Sequence, residues 1–415
     1  MAKASGKSFS PAFWRFWTAM VVSGLGDGIR TTALAVFAAA LTRDPVQVAM
    51  VTLAGKLPWA CVGPFAGVLV DRVDRWRALW ICDVVRVAVL VVFVALMLAG
   101  QVGVVVLAIA AFSLSSVQTM SNNLSQAVVP DVADKETLDT ANSRILGGQF
   151  VTVEFVGAPL GTALFVLSEP TPFVVDALSF VVSAVLVFSL RTVGGDPARS
   201  CVPLTPAVLW SEMVFGVRWL WRHQTLRTLC LLGGVLNFAV VGVLGIAVLY
   251  ALEVLRISQT GYGLLLAFIA VGGLVGLLVA PGLVAAVGRG RALKAVLLMC
   301  PVAFLVGGVT TDAVVAATAL AFVGVGISVF NVVTATIRQT VIPAALFGRV
   351  NGAYRFVGNG LSPLGALAGG LVADGFGLRA PFFVGAFLLL TAVFVVSFGW
   401  PGLLSSVREA RRDGG

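Results

Sequence analysis

Long apolar runs, arranged in two groups of six, constrain this chain more than any other feature. Bounded by Pro, Gly or charge, they fall near 13–41, 46–70, 78–99, 102–128, 142–167 and 171–190, then near 228–252, 261–286, 292–310, 313–340, 350–373 and 380–402. A run of about 20 apolar residues matches the hydrocarbon thickness of a bilayer. Lipid offers no partner for free backbone groups, so runs of this length predict helices. Composition agrees: 59% of the 415 residues are apolar and 11% charged, where a soluble domain carries about 25% charged residues. A soluble enzyme, a disulfide scaffold and a disordered chain are excluded. The expected class is an all-α polytopic membrane protein with twelve transmembrane helices in two six-helix halves.

The charged minority sets the organisation. With the N-terminus inside, basic residues such as Arg75, Arg77, Arg144, Arg218, Arg289, Arg349 and Arg411 gather at cytoplasmic ends and loops, against Arg43, Arg256 and Arg379 opposite. This bias predicts cytoplasmic termini. It also accounts for the formal charge of +9 without a nucleic-acid partner. Residues 1–190 are read as the first half, 191–227 as a cytoplasmic connector, 228–402 as the second half and 403–415 as a cytoplasmic tail. In the connector, 207–222 places Leu209, Trp210, Met213, Val214, Val217, Leu220 and Trp221 on one arc, the pattern of an interfacial amphipathic helix. Lys3 and Lys7 precede a first apolar stretch with no signal-peptide cleavage pattern, so that stretch reads as a retained helix. The five cysteines are scattered, with no CxxC, and the lone His223 leaves no basis for a histidine metal centre.

The halves repeat. Gly67-Val-Leu-Val-Asp71-Arg72 closes the second run, and Gly282-Leu-Val-Ala-Ala286-Val-Gly-Arg289 closes the eighth. Gln126-Ala-Val-Val-Pro130 recurs as Gln339-Thr-Val-Ile-Pro343, and Pro159-Leu-Gly161 as Pro363-Leu-Gly365. Parallel halves with a midplane site between them are a transporter architecture.

On these residues, and above all on Gly67-Val68-Leu69-Val70-Asp71-Arg72-Val73-Asp74-Arg75-Trp76-Arg77, the chain resembles the major facilitator superfamily. Asp74 stands where the signature loop usually has glycine. That variant, with Leu25-Gly26-Asp27-Gly28, Asn142-Ser143-Arg144 and Phe173-Val-Val-Asp176-Ala-Leu-Ser179-Phe180, is similar to the drug:proton antiporter-3 branch, which includes macrolide-efflux and enterobactin-exporter proteins. The resemblance implies the major facilitator fold. It also implies a conformational latch, with Gly67, Asp71, Arg72, Asp74, Arg75 and Arg77 holding the second helix against the eleventh. Two departures limit the transfer: residues 102–128 carry no charge, and Ala286 replaces the signature aspartate in the second half. Neither a fourth-helix arginine mechanism nor a symmetric gate is expected.

Ionisable residues inside a membrane are expensive and default to functional hypotheses. Asp27 and Arg30 are three apart and share a helix face. Glu154 stands before the Gly157-Ala158-Pro159 bend with no basic neighbour in sequence. These three are the proton-coupling candidates, Glu154 first. Asp83 and Arg86 repeat the spacing and are assigned to a cytoplasmic gate network. Asp176, near the outer end of the sixth run, reads as structural and close to the interface. Gln118, Asn122, Asn123, Asn237 and Asn331 either line a substrate cavity or bond helix to helix.

The expected function is therefore secondary active export of a hydrophobic or amphipathic small molecule of the drug or antibiotic type. Alternating access in exchange for protons would drive it, from a bacterial cell (inner) membrane. Export of a siderophore or another secreted metabolite is the alternative. The expected partners are substrate, protons and the bilayer, with no cofactor or metal, in a monomer. No nucleophile, paired His/carboxylate or metal constellation supports an enzyme.

Overall fold

The computed structural model describes residues 9–63, 73–134, 137–191, 206–343 and 346–399. Gly67, Asp71 and Arg72 of the expected latch lie outside these residues, as do most of the connector before Pro206 and the tail 403–415. Every regular element among the described residues is a helix. The first group comprises α1 (Pro11–Leu41), α2 (Pro45–Cys61), α3 (Arg75–Leu98), α4 (Val104–Val132), α5 (Leu138–Phe150), α6 (Gly157–Leu167) and α7 (Thr171–Phe188). Then come α8 (Pro206–Arg222), α9 (Gln224–Leu249), α10 (Gln259–Val287), α11 (Arg289–Val309), α12 (Ala313–Val341), α13 (Phe347–Phe376) and α14 (Ala380–Gly399). Ten helical stretches among the described residues are long and apolar enough to cross a membrane, and α14 adds a shorter apolar one.

Short polar side chains start these helices by accepting from backbone N–H groups that have no intrahelical partner. Ser10 accepts from Phe13 N, with Pro11 in the first turn, and Asp44 accepts from Val46 N and Gln47 N, with Pro45 following. Asp74 accepts from Arg77 N at 3.0 Å and caps α3. At the matching turn of the second half, Gly288 joins α10 to α11 at φ +83°. A left-handed φ suits glycine, which has no Cβ to clash. Where the first half turns with a capping carboxylate, the second turns with backbone freedom.

Helix α8 covers the segment read as amphipathic, and one narrow edge of it packs on the second helix group. Gly216 lies against the backbone of Arg349 and the Ala353 methyl on α13, and Leu220 is fully buried. Val214 and Trp221, on the apolar arc, are exposed beside Phe215. The close fit at Gly216 decides the edge, because a side chain there would strike α13.

A π-helical turn, Val151–Val156, separates α5 from α6, with Gly157 N bonded to Thr152 O five residues back. Its position is explained by Pro159, which lacks an N–H and whose ring would clash with the carbonyl four residues earlier.

The two Pro-Leu-Gly segments pack alike. A Cβ on Gly161 would run into the Ile29 backbone of α1, and one on Gly365 into the Phe238 backbone of α9. In each case a glycine lets the fifth membrane helix of its group lie directly on the first.

The apolar core divides by position. Phe13, Phe16, Trp76, Leu79, Leu124, Val128 and Ile145 pack together from the first group alone, at the end where α1 begins. At the opposite end Phe37, Val48, Phe93, Leu107 and Phe173 share one core with Val248, Leu249 and Tyr262 of the second group. There Gly370 of α13 faces Pro45 and Ala49 of α2, and Gly263 of α10 faces Ala158 and Thr162 of α6. Arg43 and Glu253 approach to 3.7 Å across the same junction. The helix groups are thus knitted together at the end remote from Pro11.

Candidate functional site

The middle of α1 is built for close approach. Gly24, Gly26 and Gly28 occupy every second position before Arg30, so neighbouring helices reach its backbone. A Cβ at Gly26 would strike Asp176 and Ser179 of α7. That absence of side chain draws α7 onto α1 beside Asp27 and Arg30, while α3 closes the third side.

Five charged side chains meet there in alternating order: Asp176, Arg30, Asp27, Arg86, Asp83. Arg30 Nη2 donates to Asp27 Oδ1 on its own helix. Its Nε lies 2.9 Å from Asp176 Oδ2. The N–H does not point along that line, so the contact is an ion pair and not an aligned hydrogen bond. Arg86 Nη1 is 3.9 Å from both Asp27 Oδ2 and Asp83 Oδ1. Its guanidinium sits 4.6 Å from the centre of the Phe180 ring, a cation–π contact. Ser183 Oγ donates to Asp83 Oδ2 at 2.7 Å. All five charged residues are buried, Asp176 at 0% exposure and Asp27, the least covered, at 6%. At such burial each charge needs its partner, and stripping one partner from a buried pair costs about 3–5 kcal/mol.

The expected Asp27–Arg30 pair therefore exists, inside a larger array. Asp83 and Arg86 face Asp27 and Ser183, and their contacts among the described residues join the first-group array. Asp176, in the second turn of α7, is completely buried where α7 meets α1 at Gly26. Ser183 and Phe180 were missed, since neither carries a charge and their partners lie about a hundred residues away in sequence. A face pattern in α7 placing Asp176, Phe180 and Ser183 one turn apart was the available signal.

Glu154 lies elsewhere. It is exposed on the π-helical turn and forms no ion pair among the described residues. Of the latch residues that are described, Asp74 serves as the α3 cap, Arg77 is exposed, and Arg75 Nη1 donates to Ala127 O of α4 at 3.2 Å. Trp76 adds a bond from Nε1 to Asp131 Oδ2 at 3.1 Å.

The polar cavity candidates separate. Gln118 and Asn122 are half-buried on α4 and Asn331 is exposed on α12. Asn123 Nδ2 donates to Thr119 O of its own helix at 2.7 Å. Asn237 Nδ2 donates to Gly358 O at 3.1 Å and Asn359 Oδ1 at 3.2 Å, tying α9 to α13. A cavity of about 430 Å³ between α11 and α12 is lined by Met299, Val302, Val306, Val315, Thr318 and Phe322, away from the charges. Among the described residues no group of three or more His, Cys, Asp or Glu side chains could hold a metal ion.

Similarity to known proteins agrees with this architecture. The sequence profile of the Major Facilitator Superfamily matches residues 16–365. The multidrug efflux pump Tap of Mycolicibacterium fortuitum is 27% identical over 379 residues, spanning 88% of this chain and 90% of Tap. Among solved structures, a bacterial homologue of the iron transporter ferroportin in its inward-facing state superposes with a TM-score of 0.74 at 18% identity, over 94% of this chain and 99% of that one. A bacterial ferroportin homologue in the outward-facing state gives 0.61 at 20% identity, over 96% and 100%. Matched over most of its length, this chain belongs to the Major Facilitator Superfamily, and it is a multi-pass membrane transporter, not an enzyme.

Proposed function

We propose that the protein exports a hydrophobic or amphipathic small molecule by alternating access, in exchange for protons, from a bacterial cell membrane with both termini in the cytoplasm. The observation that carries this reading is the buried array of three carboxylates and two guanidinium groups on α1, α3 and α7. Such charges are rarely retained in a membrane span without a role in moving ions or substrate. Proton movement is coupled to substrate movement through the array, with Asp27 held in it by Arg30, and through Glu154, exposed on the π-helical turn that leads into α6. The efflux activity named for Tap supports export as the direction.

Closure at the end remote from Pro11 supports a conformation open toward the N-terminal side. The higher similarity to the inward-facing ferroportin homologue is in line with it. Rocking the helix groups would break the Gly370–Ala49 and Gly263–Thr162 contacts and expose the opposite side. One proton crossing 100 mV supplies about 2.3 kcal/mol, enough for a roughly 50-fold substrate gradient.

The test is transport by purified protein in liposomes. With an imposed pH gradient, accumulation of a lipophilic dye such as ethidium is expected, abolished by a protonophore. Dye movement indifferent to the gradient would remove proton exchange from the reading.

A further inference from the structure

We propose that the buried array binds one proton and that this proton resides on the Asp176 carboxyl group. The inference deepens the exchange reading by naming the proton site, and it begins from a charge count. Three carboxylates face two guanidinium groups, with all five residues at least nine-tenths buried. Two acid–base pairs are electrically balanced and the third carboxylate is in excess. An uncompensated buried charge is far costlier than a protonated acid, so the excess is removed by a proton.

Geometry selects the carboxylate. Asp27 accepts from Arg30 Nη2 and has Arg86 Nη1 at 3.9 Å. Asp83 accepts from Ser183 Oγ and has the same Arg86 nitrogen at 3.9 Å. Asp176 has Arg30 Nε as its close cation, shared with Asp27, and neither of its oxygens accepts an aligned hydrogen bond from the protein. It is also the least exposed of the three. The groups facing it are complete by element: α1 supplies Asp27 and Arg30, α3 supplies Asp83 and Arg86, and α6 contains no titratable side chain.

The step is a simple association. A proton adds to one Asp176 carboxylate oxygen, an O–H bond forms and no other covalent bond changes. Arg30 then belongs wholly to Asp27. Departure of the proton requires Arg30 to be shared again, so a small shift of α1 against α7, permitted by Gly26, couples helix movement to proton release.

Infrared spectroscopy of the full chain in liposomes tests this directly. At neutral pH the wild type should show one deuterium-sensitive carboxylic-acid C=O band, and labelling with [13C]aspartate should shift it. Asp176→Asn should abolish the band and Asp176→Glu should move it, whereas Glu154→Gln should leave it in place. A band that ignores the aspartate label, persists in Asp176→Asn, or moves instead with Asp27→Glu or Asp83→Glu overturns the proposal. The labelling arm needs no variant and tells an aspartate from a glutamate, and Asp176→Glu, which keeps a carboxyl group in place, assigns the band to the residue. Dye transport indifferent to pH, with a band that follows Asp176, would sink proton exchange and leave this site standing. Proton-driven transport with a band that does not follow Asp176 would do the reverse.

Discussion

The two helix groups pack alike around their Pro-Leu-Gly segments yet treat internal charge in opposite ways. In the first group three carboxylates and two guanidinium groups alternate through the interior of α1, α3 and α7. In the second, half-buried Arg338 on α12 is held by neutral groups. Its Nη1 donates to Asn351 Oδ1 at 2.9 Å, its Nε to Thr334 O at 3.3 Å, and its guanidinium lies 4.2 Å from the centre of the Tyr354 ring. Tyr354 in turn donates to Leu229 O at 3.2 Å. Around this clamp the core is apolar, with Leu236, Ile246, Val329, Phe330 and Phe382. An array of opposite charges can exchange a proton among its members, whereas a cation on carbonyl, amide and ring has no acid to protonate. The difference teaches that a shared packing scheme does not require shared chemistry, and under the proposed proton exchange it makes the first group the ion-handling half.

The largest effect should come from removing a base from the array. Arg30→Gln leaves three buried carboxylates with one guanidinium, and the loss should be about 3–5 kcal/mol, read as a lowered unfolding temperature in detergent. A smaller loss at acidic pH, where the orphaned carboxylates take up protons, would sharpen the assignment; pH-independent destabilisation would break it. Next come the matched glycines. Gly161→Val and Gly365→Val each wedge a side chain into a facing backbone, and overpacking of this kind costs about 1–3 kcal/mol. Equal losses in the two variants would uphold the structural parallel, and an effect confined to one would refute it.

Arg338→Gln should lower stability by about 1–3 kcal/mol through unsatisfied partners and leave the pH dependence of dye transport unaltered. A shifted pH profile would end the claim that ion handling belongs to the first group. The smallest effect is expected at the junction between groups. Glu253→Gln removes an exposed ion pair worth about 0.2–1 kcal/mol, and its influence on the equilibrium between conformations, followed by fluorescence between labels on α2 and α13, should vanish in high salt.

How much was legible beforehand depended on distance along the chain. Asp27 with Arg30 could be paired from spacing alone, since residues three apart share a face. So could the amphipathic character of α8 and the correspondence of Pro159 with Pro363. Asp83 and Arg86 are visible as a pair from the same spacing, but spacing says nothing about which helix they face, and Asp27 and Ser183 appear beside them only in the fold. The position of Asp176 near the outer end of its run gives no sign of its partners, and only the approach of α7 to Gly26 reveals its burial beside Arg30. The π-helical turn carrying Glu154 has one sequence cue, Pro159, and a proline alone does not distinguish a bend from a π-helical turn. Asn237 illustrates the same limit: a cavity ligand and a helix–helix tie look identical until Gly358 and Asn359 are seen beside it.

By itself the sequence determined that the chain is helical, lies in a membrane and repeats its own plan. Run length against bilayer thickness, backbone hydrogen bonding in lipid and recurring motifs are all local or periodic properties. Tertiary structure decided which charges meet. Asp27, Arg86 and Asp176 come from three helices far apart in the chain, and their grouping follows from where small residues let backbones touch. Charge type is written residue by residue, but the cost of burying a charge depends on its neighbours in space. That is why the net excess of one carboxylate became visible only when α1, α3 and α7 were seen packed together.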